Sequence, residues 1–279
     1  MAKILVTDLD GTLFYPKKRL GLIGKENLSF LREWIDAGNK LVLASGRNYK
    51  DADKILKKID RPAAFIGCNS SIIYEDGKII HENLMNGHDV IRLMDRIESK
   101  FDPSNYVVMT ENYNTYIYSR KYKASFRVIY PMYKWSQGRY GSPYKIVRKS
   151  KFINEIKNGK IFKVMCFFGI GHKNSVRASI VAKYLSKYEP NYEVNWSSIS
   201  IEFNNKGCNK ANGIKKYLEI HNYSKDDVYV IGDSGNDVCM FKEFYEHSFC
   251  MKHSNSSIKK YAKTIVDNVY NIKDYIKEE

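Results

Sequence analysis

An apolar run, Ile4-Leu5-Val6-Thr7, ends in two aspartates, Asp8 and Asp10, followed at once by Gly11-Thr12-Leu13. A continuous run of this kind reads as a parallel strand buried on both faces, which commits the chain to a sheet covered by helices. The carboxylates then emerge at the edge where open α/β sheets hold their ligands. Side chains at i and i+2 of an extended segment point the same way, so Asp8 and Asp10 repel unless a cation or a proton lies between them. The pair implies a metal, shared acid–base chemistry, or both.

At 279 residues, 43% of them apolar and 28% charged, the chain is globular material long enough for two domains. No stretch approaches the ~20 apolar residues of a membrane-crossing helix, and the first strand follows Met1 closely, so a soluble cytoplasmic protein is expected. Cys68, Cys166, Cys208, Cys239 and Cys250 are scattered without CxxC spacing and read as reduced, structural thiols. The six histidines show no ligand spacing. The net charge of +15 is unevenly placed: Leu84–Tyr192 carries 20 Lys+Arg against 7 Asp+Glu, a net of +13. An anionic partner is one reading of that excess.

Strand and helix alternate over the first eighty or so residues, as in a parallel sheet. Leu28, Leu31 and Ile35 recur at helical spacing up to Gly38, then Lys40–Ala44 reads as a strand, Tyr49–Lys58 as a helix and Ala63–Ile66 as a strand. Ser71–Ile80, centred on Asp76-Gly77, reads as a hairpin. From Gly87 the character changes: a helix over Asp89–Phe101, Tyr-rich strands at Tyr106–Thr110 and Thr115–Ser119, a poorly periodic stretch Tyr122–Ser150, a helix, a strand Ile161–Phe168 and a helix from Asn174 to Lys187. The α/β rhythm resumes near Glu193, with Ile199–Phe203, a helix Lys210–His221 and the strand Val228–Ile231. The expected architecture is an α/β core with a Rossmann-like parallel sheet, residues 1–83 and 193–279, interrupted by an α+β module, 84–192.

Three further segments at strand ends or helix starts match the first chemically. Ser45-Gly46-Arg47 offers a hydroxyl and a flexible backbone after a strand, suited to phosphate oxygens. Lys210 opens a helix, and Gly232-Asp233-Ser234-Gly235-Asn236-Asp237 supplies more acid groups after the strand ending at Ile231. Together they offer carboxylates for a hard cation, a hydroxyl and a lysine for an anion, and a spare carboxylate as nucleophile.

In this order, Asp8-Leu9-Asp10-Gly11-Thr12-Leu13, Ser45-Gly46-Arg47, Lys210 and Gly232–Asp237 resemble the four motifs of the haloacid dehalogenase-like superfamily. A module inserted between the second and third is similar to the C2-type cap of its Cof-type sugar-phosphatase branch. The resemblance implies a phosphatase acting on small phosphorylated metabolites, sugar phosphates foremost. It assigns Asp8 as the nucleophile that forms an aspartyl-phosphate and Asp10 as the proton carrier for leaving group and water. It assigns Mg²⁺ to Asp8, the backbone carbonyl of Asp10 and Asp233, with Asn236 and Asp237 ordering the metal's surroundings. Ser45, Gly46 and Lys210 would bind the phosphoryl group, with Arg47 and Asn69 as further candidate substrate contacts and the cap closing over the site. Two departures stand out: Asn69-Ser70-Ser71 where the family usually has Asn-Gly-Ala, and Ala211 where it commonly has glycine.

Rival readings are a phosphomutase using the same intermediate and a non-catalytic protein binding polyanions or nucleic acid through the basic insert. That insert interleaves Tyr106, Tyr113, Tyr116, Tyr118, Tyr122, Tyr130, Tyr133, Trp135, Tyr140 and Tyr144 with Arg120, Lys121, Lys123, Arg127, Lys134, Arg139, Lys145 and Arg148. It reads equally as a phosphate-steering surface or as a bias toward Lys and Tyr in composition. Nucleic acid is not the expected partner, because no recognised binding motif occurs. Arg47 is expected to order the loop around Ser45, and Cys208 has no assigned role.

Overall fold

A computed structural model describes residues 2–16, 23–121, 127–128, 130–132, 143–197 and 200–276. The chain divides into two compact units, one holding the described residues up to His81 and from Asn209 onward, the other those from Glu82 to Cys208.

The first unit is built on an eight-stranded sheet. Its strands are β1 (Ile4–Thr7), β2 (Lys40–Ala44), β3 (Ala64–Gly67), β4 (Ile72–Glu75), β5 (Lys78–Glu82), β12 (Val228–Gly232), β13 (Ser248–Met251) and β14 (Thr264–Val266). They lie in the order β14-β13-β12-β1-β2-β3-β4-β5. From β14 to β3 every pairing is parallel, with Thr7 level with Leu43 on one side and Ile231 on the other. The apolar runs are buried on both faces because alternate residues enter different cores. Leu5, Leu41, Leu43, Phe65 and Ile231 pack with Phe30, Leu31 and Trp34 of α1 (Lys25–Asp36) and with Ile55 and Ile59 of α2 (Ala52–Ile59). Ile4, Val6, Val42, Ile66 and Val230 pack on the opposite face with Ile214, Tyr217 and Leu218, which belong to a helix at Lys210–His221, and with Met240 and Phe241 of a short helix at Val238–Glu243. This is the doubly covered α/β sheet expected from the sequence. The β4–β5 hairpin turns at Asp76 and Gly77, both with positive φ (48° and 78°), as a two-residue turn of this hand requires.

The second unit has its own sheet in the order β10-β11-β9-β6-β7-β8. Its strands are β6 (Asn105–Thr110), β7 (Tyr116–Ser119), β8 (Lys145–Val147), β9 (Ile161–Phe167), β10 (Tyr192–Ser197) and β11 (Ser200–Asn205). Three helices, α3 (Gly87–Phe101), α4 (Lys149–Asn158) and α5 (His172–Tyr188), supply Leu93, Met94, Phe152, Ile156, Val181 and Leu185 to one core with Tyr106, Val108, Val164, Cys166 and Phe203. The helices at Lys210–His221 and Val238–Glu243 are α6 and α7.

Two expectations differ from what is observed. The sequence places the segment from Glu193 onward in the core, but β10 pairs with β11 and β11 with β9, Ile201 opposite Cys166 and Phe203 opposite Val164. The alternation of Ile201 and Phe203 fits a strand in either sheet, and only its partner decides which. Within the stretch Tyr122–Ser150, read as poorly periodic, Lys145–Val147 forms the edge strand β8, parallel to β7. Three residues are too few to show a period. Tyr122, Lys123, Tyr133, Lys134, Trp135, Arg139, Tyr140 and Ile199 lie outside the described residues.

None of the five cysteines forms a disulfide. Among the described residues no helix is long and apolar enough to cross a membrane. Leu31, fully buried between α1 and the sheet, measures the first core. Leu31→Ala is expected to lower stability by about 2–5 kcal/mol, read from urea unfolding as a lower midpoint at unchanged slope.

Candidate active site

All the motif residues of the first unit converge on the carboxyl ends of β1, β2 and β12, which are neighbours in the sheet. Asp8 follows β1 directly, and its N–H donates to the Ile231 carbonyl at 2.9 Å, continuing the ladder by one residue. Leu9–Leu13 then forms a tight turn that is not helical at Asp10 (φ −81°, ψ 102°) or Gly11 (φ +95°). Gly11 is required twice over. Its φ is one that side chains resist, and an added Cβ would sit 2.3 Å from Asp233 Oδ2. Next to it, Thr12 Oγ1 donates to Asp233 Oδ1 at 3.3 Å.

Lys210 is the first residue of α6, whose N-cap Asn209 accepts from the Asn212 N–H at 3.0 Å. A lysine is unfavourable at the positive end of a helix, and here it is also buried, 1% exposed. Two carboxylates compensate. Lys210 Nζ lies 2.6 Å from Asp8 Oδ1 and 2.5 Å from Asp237 Oδ1. Burial alone would push the Lys210 ammonium toward its neutral form, but Asp237 and Asp8 outweigh it and raise its pKa. Asp237 is wholly buried and saturated, its Oδ2 accepting from the N–H groups of Asp233 (3.0 Å) and Ser234 (2.9 Å) and from Ser234 Oγ (3.2 Å). Asn236 Oδ1 accepts from Ser234 Oγ at 2.7 Å. These bonds fold Gly232–Asp237 into a fixed loop that presents Asp233.

Asp8 differs from Asp237 in one respect: its Oδ2 is buried with no hydrogen-bond partner. Burial raises its pKa to about 8; Lys210 opposes the shift, while Asp237, Asp233 and Asp10 add to it. Ligand oxygens of Asp8, Asp233 and Asp237 lie within 4.8 Å of one another. His253 Nε2 stands 3.7 Å from Asp233 Oδ2, its ring stacked on Tyr15 at 4.0 Å. The orphaned Asp8 oxygen, with oxygens of Asp233 and Asp237 close by, makes an all-oxygen donor set that fits a hard divalent cation.

Ser45, after β2, is buried, and its Oγ accepts from the Arg47 N–H at 3.2 Å. The Ser45 carbonyl accepts from the Asn69 N–H at 3.1 Å and the Arg47 carbonyl from Cys68 N–H at 2.7 Å, so the loops after β2 and β3 brace each other. Cys68, Asn69 and Ser70 all have positive φ (50°, 57° and 87°), a conformation costly for side-chain-bearing residues. Asn69 is therefore placed beside Ser45 by its backbone. Gly46, between Ser45 and Arg47, is partly exposed.

Arg47 does more than order its loop. Its guanidinium grips Asp10 through both oxygens, Nε to Oδ2 at 2.8 Å and Nη2 to Oδ1 at 2.5 Å, and lies over the Phe14 ring at 5.3 Å. Neither this pairing, nor the Thr12–Asp233 bond, nor the place of His253 was visible in the sequence. Arg47 stood out only by position, and His253 carried no signal at all.

A doubly covered parallel sheet with these acidic loops at its carboxyl edge places the chain among α/β proteins that carry their sites at strand ends. The chain matches the family model described as haloacid dehalogenase-like hydrolase over residues 5–273 and belongs to that family. It is 23% identical to a Bacillus subtilis protein named 5-amino-6-(5-phospho-D-ribitylamino)uracil phosphatase YcsE, over 98% of this chain and 92% of that one. It is 27% identical to a Haemophilus influenzae protein named putative phosphatase, over 85% and 81% of the two chains. The solved structure of a haloacid dehalogenase-like hydrolase from B. subtilis superposes with a TM-score of 0.80 at 17% identity, covering 99% of this chain and 100% of the other, and shares its fold.

The buried carboxyl of Asp8 gives a pH test. A group whose folded pKa exceeds its unfolded value binds more protons when folded, so stability falls as pH rises between the two values. For Asp8 that window runs from 3.8 to about 8. In EDTA-treated protein, Asp8→Asn should therefore gain on the wild type as pH rises from 5 to 8. Equal pH slopes for the two proteins in thermal melts would contradict this.

Proposed function

We propose that the protein is a Mg²⁺-dependent phosphatase that hydrolyses phosphate monoesters of small metabolites, sugar phosphates foremost, through an aspartyl-phosphate on Asp8. The observation that carries the reading is Asp8 itself: one oxygen is fixed by Lys210 at 2.6 Å while the other, buried, has no partner. Such a carboxylate is held in place yet open to a reacting group.

In the first step an Asp8 oxygen attacks phosphorus, the bond to the ester oxygen breaks, and the carboxyl of Asp10 gives that oxygen its proton. In the second, Asp10 as carboxylate takes a proton from water as the water attacks the same phosphorus, and the bond to Asp8 breaks to release inorganic phosphate. Ser45 and Gly46 bind the phosphoryl oxygens together with Lys210, whose charge is fixed by Asp8 and Asp237. Mg²⁺ would be held by Asp8, the Asp10 carbonyl and Asp233, with Asn236 and Asp237 ordering the loop, and when bound it neutralises phosphoryl charge.

Arg47 bears on the role of Asp10. Its two-pronged grip favours the carboxylate form, which suits the second step. The first step needs the acid form; a phosphoryl group that shares the Arg47 guanidinium with Asp10 weakens that grip and lets Asp10 take up a proton from solvent. Arg47 thereby couples substrate arrival to the protonation of Asp10, while Asn69 lies close enough in the chain's braced loops to add a contact to the substrate. The sugar-phosphate class is supported by the sugar-derived phosphoribityl group in the name of the B. subtilis relative.

Asp8→Asn is expected to lower Mg²⁺-dependent turnover of an aryl phosphate by on the order of 10³-fold or more. Wild-type turnover in that variant would remove Asp8 as nucleophile. With a sugar phosphate, inorganic phosphate should appear in step with the free sugar; an isomeric sugar phosphate without free phosphate would mean a mutase.

A further inference from the structure

Between Glu111 and Glu155 the chain contains ten Lys and Arg residues and no Asp or Glu. A bias toward lysine does not account for this, since the rest of the chain beyond Leu84–Tyr192 holds 26 basic residues against 24 acidic. The described cations of the stretch fall into two groups. Arg120 and Lys121 pair with Asp102, and Lys149 with Glu98. Arg127, Lys145, Arg148 and Lys151 have no carboxylate within 4.0 Å among the described residues, and together with Ile146 and Val147 they line a concavity of about 440 Å³ in the second unit.

The backbone there concentrates the charge further. Lys145 and Val147 belong to β8, the edge strand of the sheet. Arg148 follows in extended conformation (φ −75°, ψ 157°) and Lys151 lies in the first turn of α4, which has no acidic residue and no side-chain cap. Basic side chains at the positive end of a helix oppose its dipole. Four basic residues lining one hollow repel one another, and among the described residues no carboxylate pairs with them. Three of the four lining cations, Lys145, Arg148 and Lys151, arise from a segment only seven residues long. Three residues of strand span about 7 Å, the scale of two linked phosphoryl groups rather than of an extended polymer. The volume is that of a small-ligand site, and arginine's fork suits phosphoryl oxygens.

We propose that this concavity binds a small anion carrying two or more adjacent phosphoryl groups, at a site separate in sequence from the Asp8 centre. Arg127, Lys145, Arg148 and Lys151 supply the charge, and the uncapped first turn of α4 adds backbone donors.

The test is calorimetric titration of full-length, EDTA-treated protein with methylenediphosphonate, which is not hydrolysed. One site is expected, weakened about a hundredfold in Arg148→Gln/Lys151→Gln and unchanged in Ser45→Ala, with melting curves checking that each variant folds. A charge-matched control, Lys157→Gln/Lys173→Gln, should bind as the wild type. Equal weakening in that control would reduce the effect to diffuse charge and overturn the site. Loss of binding in Ser45→Ala would place the anion at the Asp8 centre instead. Tighter binding to single-stranded oligonucleotides, increasing with their length, would overturn the small-anion class. Should the glutamine pair fail to fold, Arg127→Gln and Lys145→Gln singly are expected to weaken binding about tenfold each, and wild-type affinity in both would refute the proposal.

Discussion

The buried contact of Lys210 with Asp8 and Asp237 is the interaction on which the rest of the first unit depends. Removing an ammonium and two carboxylates from water is costly, and mutual attraction repays it only with close geometry and satisfied neighbours. Both conditions are met on one side: Asp237 accepts from two backbone N–H groups besides Lys210. They are left unmet on the other, where Asp8 keeps an unpartnered oxygen. The imbalance joins β1, β12 and α6, three elements distant in sequence, and leaves the remaining electrostatic demand at a single atom.

A second pairing, Arg47 with Asp10, follows a different logic. Asp10 is partly open, a quarter of its side chain exposed, while Arg47 is nearly buried at 5%. The guanidinium is fixed from behind by Phe14 and by its own loop, so the carboxylate is the partner with room to change. The two aspartates of the first motif are therefore distinguished by their cations: Asp8 by a lysine sealed inside the protein, Asp10 by an arginine at the lip of the site.

Much of this is legible in the sequence. The apolar runs at Ile4–Val6, Leu41–Leu43 and Val228–Ile231 read as strands, the first as a parallel strand buried on both faces, and strand ends are where the acidic loops fall. Asp-Gly at 76–77 marked a turn by its backbone freedom. What stayed hidden required pairing information. The chain around Ile201 and Phe203 alternates like any strand, so its sheet could not be assigned from pattern, and the three residues of β8 were too few to show one. Side-chain partners were equally out of reach: nothing in Ser45-Gly46-Arg47 says that its arginine turns toward Asp10, and His253 sits in a loop with no motif of its own.

The close approach of Gly11 to Asp233 ties the first acidic loop to the last. The Asp233 carboxylate occupies the volume a side chain at position 11 would need, and Thr12 holds that same carboxylate from the adjacent position. The two loops are thus interlocked like a key and its ward, each shaped by the other's absence or presence of atoms. A substitution tolerated in one would have to be matched in the other, so this corner of the protein can change over evolutionary time only as a pair, whatever freedom the surrounding helices retain.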